Sequence, residues 1–118
     1  MMNLEQIEDF TLFLFLHLGR VDGSLHPNER DTILEKMAEI FPGKSDLNES
    51  LTEMEKEYSA LGYVNSEDLL KNSLAKFSQL ASNTKSKIHQ ALYDIINANG
   101  RVSEEETKTL QFLKTWLT

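Results

Sequence analysis

The chain has 118 residues, a net charge of −7 and no cysteine. That length makes one domain, able to bury about two-thirds of the surface its unfolded chain exposes, and the missing cysteine excludes disulfides, thiolate metal sites and a thiol nucleophile. Residues 1–62 carry 13 acids against 5 bases and residues 63–118 carry 6 against 7, a distribution that argues against nucleic acid or an anionic membrane as primary partner, because both require cationic surface.

In chain order, every segment between turn signals reads as helix. Asn3 can cap a first helix running to about Arg20, with Ile7, Phe10, Phe13, Leu14, Phe15, Leu16 and Leu18 apolar on nearly all sides, which places it in the middle of a bundle. Pro27 opens a second helix that buries Ile33, Leu34, Met37 and Ile40 and stops at Pro42-Gly43. Asp46 or Ser45 opens a third, with an inward stripe of Leu47, Leu51, Met54, Tyr58 and Leu61 that ends at Gly62. Its other face is an acidic ridge of Glu49, Glu53 and Glu57, like charges at i,i+4.

After a Tyr63-Val64-Asn65 link, Ser66 or Asn65 is expected to open a fourth helix through about Ala81, burying Leu69, Leu70, Leu74, Phe77 and Leu80. Asn83-Thr84 interrupts, and a fifth helix runs to Ala98 with Ile88, Leu92, Ile95 and Ile96 inward. The sixth spans Glu104 to the end, with Leu110, Leu113, Trp116 and Leu117 apolar. Trp116 and Phe112 read better as the docked face of this last helix than as a partner site. No run alternates like a half-buried strand, so the expectation is one all-α domain over 1–118, a bundle of about six helices.

Two stretches repeat at a shift of 77 positions. RVDGSLHPNERDTI surrounds Gly23 and NANGRVSEEETKTL surrounds Gly100. Asp22 falls on Asn99, Leu25 on Val102, Glu29 on Glu106, Phe15 on Leu92 and Leu18 on Ile95, which predicts pseudo-two-fold symmetry. In each copy glycine ends a helix by accepting positive φ, the residue before it suits a turn, and a capped helix follows. Ser103 with Glu106 is a capping box. In the first copy His26 takes the cap position, Pro27 the first helical position and Glu29 the reaching carboxylate. With glycine as position six of an EF-hand loop, the hydrophobic and terminal glutamate positions match, but positions one, three and five are Leu18, Arg20 and Asp22, then Ile95, Asn97 and Asn99. Neither elbow is an EF-hand.

The unit helix–Asp-Gly–aliphatic–Glu–helix, used near both ends of an all-helical chain, resembles the TerB-like (tellurite resistance B) family over about residues 14–37 and 91–114. The resemblance implies a compact bacterial helical bundle with an internal repeat. The family is linked to stress gene clusters and serves as an accessory domain of membrane-anchored J-domain cochaperones. Its acidic elbow residues, proposed to bind a divalent cation, correspond here to Asp22 and Glu29, then Asn99 and Glu106; Asn99 departs from the pattern by lacking charge. His26 beside Asp22 and Glu29 would add a nitrogen donor suited to zinc or manganese. Capping and turn roles are the plainer reading of all these residues, and His17 and His89, far apart, read as packed or solvated.

No glycine-rich phosphate loop, nucleophile elbow or HExxH is present, so no enzyme is expected; a hydrolase using clustered carboxylates would need a pocket holding one of raised pKa. The absence of basic residues before Arg20 does not fit a secretory leader, and the apolar run from Phe10 to Leu18 is half of what crosses a bilayer. The expectation is a small acidic cytoplasmic interaction module, monomer or homodimer, that binds a protein partner through Glu49, Glu53 and Glu57. The alternative is a protein that binds a divalent cation at its elbows. It takes no other cofactor, no nucleic acid and no membrane insertion.

Overall fold

The computed structural model describes residues 4, 6–20, 25–77, 79–98 and 103–117, with the backbone alone at Tyr63, Trp116 and Leu117. Six helices follow in order: α1 Ile7–Arg20, α2 Pro27–Ile40, α3 Leu47–Leu61, α4 Tyr63–Lys76, α5 Ser82–Asn97 and α6 Glu104–Leu117. No strand occurs among the described residues. The expected all-α bundle of about six helices is the architecture.

α1 occupies the centre because it has no polar side to turn outward. Every residue from Phe10 to Gly19 is buried, and all five other helices pack against it. Phe10, Phe13 and Phe15 are fully enclosed, each worth about 1.5–3 kcal/mol of burial. Phe10 stacks on Phe77 at 4.6 Å between ring centres, which joins the end of α4 to the start of α1. The other helices are amphipathic in the ordinary way. α3 buries Leu51, Met54 and Tyr58, and α5 buries Ile88, Ala91, Leu92, Ile95 and Ile96.

The 77-residue repeat extends beyond the elbows. α2 and α6 begin and end at equivalent positions, and α1 and α5 end together at Arg20 and Asn97. Thr11, Leu14, Phe15 and Leu18 are buried, as are their counterparts Ile88, Ala91, Leu92 and Ile95. Other pairs differ in kind, among them Gly19, which falls on Ile96. A Cβ on Gly19 would come within 2.5 Å of Leu25 Cδ1, so glycine here leaves room for the Leu25 side chain to pack against α1.

Helix ends deviate most around α4. Asn65 and Ser66 were expected to open it, yet both lie inside it. Gly62, at φ 81°, reverses the chain in a single residue that only glycine adopts readily. Its N–H donates to Tyr58 O at 3.1 Å and its carbonyl accepts from Ser66 N–H at 3.0 Å, so it closes α3 and starts α4 with no link between them. Asn65 instead donates its amide to Leu61 O at 2.8 Å. α4 also ends early, at Lys76, leaving Leu80 and Ala81 in the connection to α5. The Asn83-Thr84 interruption falls in the first turn of α5. Asp46 does sit at the start of α3, but in the left-handed region at φ 58° and without a side-chain cap bond.

His17 is a buried titratable group in α1. It is 2% exposed, and its Nδ1 lies 2.9 Å from the Tyr58 hydroxyl of α3. Burial lowers its pKa from 6.5 to about 4, against a smaller opposing pull from Glu67. Between those values the unfolded chain takes up a proton that the folded chain refuses. This contribution is therefore fully present above pH 6.5 and declines as the pH falls towards about 4, by about 3 kcal/mol in all. Urea denaturation across this range is expected to show a steeper acid loss in wild type than in His17→Gln. Equal slopes would contradict the buried neutral imidazole.

Candidate functional site

Of the four residues expected at a cation site, Asp22 and Asn99 lie outside the described residues, as do Gly23, Gly100 and Val102. The two glutamates are described, and both are completely buried. Each sits at the third position of its helix, where its carboxylate reaches back to the cap residue. The Ser103 N–H donates to Glu106 Oε1 at 3.0 Å, and the Glu106 N–H donates to Ser103 Oγ at 3.0 Å. In the first copy the His26 N–H donates to Glu29 Oε1 at 3.4 Å. The longer bond accompanies an N-cap imidazole in place of a hydroxyl.

A carboxylate at a helix start is favoured by the exposed amides and by the macrodipole. Full burial goes beyond what capping requires. It leaves Glu106 Oε2 enclosed with no hydrogen-bond partner among the described residues, whereas a buried acceptor normally has one. Glu29 and Glu106 belong to separate helices, α2 and α6. Among the described residues, no group of three His, Asp or Glu side chains could hold a metal ion.

Arg20, which occupies a ligand position in the rejected EF-hand register, serves α3 instead. Its guanidinium lies 5.1 Å from the Tyr58 ring centre and Nη1 donates to Ser59 Oγ at 3.4 Å. Arg30 binds α2 to α3 in a similar way, through Thr52 Oγ1 at 2.8 Å and Glu55 at 3.6 Å. His26 is half-buried beside the first elbow. His89 packs its ring against Tyr93 at 5.1 Å, and its Nε2 is buried without a hydrogen-bond partner among the described residues.

The expected acidic ridge divides. Glu49 and Glu53 are exposed and Glu57 is half-buried. Glu49 and Glu53 have no ion-pair partner among the described residues, whereas Glu55 of the same helix is held by Arg30. Sequence spacing located the ridge but not a second acidic surface, an open groove between α2 and α5. Asp31, Glu35 and Asp94 line it with Lys36. Lys36 reaches Asp94 at 3.1 Å and Glu39 at 3.3 Å. The hydrogen bond that Lys36 donates to Asp94, followed by the one it donates to Glu39, raises its pKa above 10.5. The signal for this groove lies in residues 63 positions apart, which no local pattern connects.

No described helix is long and apolar enough to cross a membrane. Comparison of the chain with models of known protein families, with curated proteins and with solved structures found no match.

Proposed function

We propose that this chain is a non-catalytic interaction module of the TerB-like kind, acting in the cytoplasm in a stress-linked bacterial complex. It engages a basic surface of a protein partner through the outer face of α3. The observation that supports this reading is the pair Glu49 and Glu53, one helical turn apart, exposed and without ion-pair partners among the described residues. Like charges at this spacing repel mildly, and a basic partner relieves that repulsion while drawing the encounter by long-range attraction. Affinity capture with the tagged chain tests it. Glu49→Lys with Glu53→Lys is expected to weaken retention of the wild-type partner by about tenfold or more, with unchanged helicity and melting temperature. Salt should weaken the wild-type contact in parallel. A partner retained equally by both proteins would refute the acidic face as the contact.

Glu106 Oε2 favours a second reading, because a buried acceptor with no donor among the described residues is the oxygen a cation would satisfy. In that reading a divalent ion binds at the elbows through Glu106 with Asn99 and through Glu29 with Asp22. Native-state binding at one hundred times Kd would add about 2.7 kcal/mol of stability. Metal-stripped protein should then melt higher with one of calcium, magnesium, manganese or zinc, and Glu106→Gln should reduce the rise. A melting curve insensitive to all four ions would remove this reading.

A further inference from the structure

Side chains of α1, α4 and α6 line a cavity of about 250 Å³ that opens to solvent and belongs to neither acidic surface. Helical spacing accounts for its composition. Glu67, Leu70 and Lys71 follow one another at i, i+3 and i+4 on α4, and Lys108 and Phe112 stand at i and i+4 on α6, so each set shares one face. The interior contacts are Leu70, 1% exposed, and His17, 2% exposed. One wall is the ring of Phe112, which is 45% exposed although the last helix was expected to dock such aromatics. The Lys71 ammonium lies 5.8 Å from that ring's centre and 3.0 Å from Glu67.

The charge balance is unusual for this chain. Three acids and one lysine line the α2–α5 groove, whereas two lysines and one glutamate line this cavity. Lys108 also meets Glu104 at 3.5 Å, but both side chains are about three-quarters exposed, 73% and 78%. Such a pair is worth little and exchanges readily. The lining therefore carries one positive charge beyond its own carboxylate.

We infer that this cavity binds a small monocarboxylate with a flat apolar body, its ring against Phe112 and Leu70 and its carboxylate towards Lys71 and Lys108. A single negative charge completes the balance of the lining. A planar apolar body gains contact with an aromatic wall, and offset ring pairs are favoured beyond their buried area. Lysines present point charges rather than the planar fork of arginine, which suits a monoanion held chiefly by its apolar part. A concave, mainly apolar site with a few convergent polar groups is the usual form of a small-molecule pocket. His17 contributes a neutral polar edge, since burial keeps its imidazole uncharged at neutral pH. This site does not depend on the acidic face of α3.

Titration of the isotopically labelled chain with benzoate, followed by amide chemical shifts, tests the assignment. The expected result is saturable movement centred on Lys71, Thr109 and Phe112. Benzyl alcohol, which keeps the ring and lacks the charge, and acetate, which keeps the charge and lacks the ring, should each bind about fivefold or more weakly. Lys108→Glu and Phe112→Ala, both at exposed positions, should weaken benzoate by a similar factor, while Lys114→Glu, exposed on α6 but outside the lining, leaves it unchanged. Absent or unsaturable shifts would overturn the proposal. So would equal weakening by Lys108→Glu and Lys114→Glu, which would mark a diffuse charge effect.

Discussion

A helix that is apolar on every side can exist in water only if every side is covered, and α1 imposes that condition on the whole molecule. From Phe10 to Gly19 every residue is buried. An amphipathic helix covers one stripe of such a surface, so several are required, and all five remaining helices lie against α1. Interiors of this kind pack as densely as organic crystals. The positions of α2 to α6 are therefore coupled through the shapes of a few α1 side chains. The stack of Phe10 on Phe77 and the seat of His17 under Tyr58 are two places where a neighbour is fixed by a particular contact.

The capped helix starts serve the same requirement at its ends. α1 leads into α2, and α5 into α6, through short connections that each finish at a buried glutamate. Glu29 and Glu106, themselves fully buried, accept from cap amides that are partly withdrawn from water, where an orphaned N–H is costly. The two copies agree in where the flanking helices end and begin, and they diverge where their neighbours differ. The pair Gly19 and Ile96 illustrates the divergence: the Leu25 side chain packs so close to Gly19 that a Cβ there would oblige its terminal methyl to shift.

Much of this was legible in the chain itself, because it rests on local chemistry. Helix number follows from 3.6-residue periodicity, and the central place of α1 follows from its lack of a polar side. The Ser103–Glu106 box follows from two residue types at one spacing. The start of α4 was misread because Ser66 is an excellent cap by type, yet Gly62 had already turned the chain; Ser66 is buried inside the helix as a result. The surface features that most suggest binding were the least visible. The α2–α5 groove joins Asp31 to Asp94, and the small cavity joins His17 to Lys71 and Phe112. Both depend on tertiary packing, and no sequence window contains them. The split of the acidic ridge has the same origin, since Arg30 and the burial of α3's flank decide which of its acids stay exposed.

Native-state hydrogen exchange tests the central place of α1 most directly. If the other helices exist to cover it, its backbone can open only when they all depart, so the amides of Thr11 through Leu18 should exchange solely by global unfolding. Their opening free energy should then equal the stability from denaturant titration, while the exposed faces of α3 and α4 exchange through smaller openings. α1 amides that exchange at a free energy well below the global value, or below that of α5, would contradict the account.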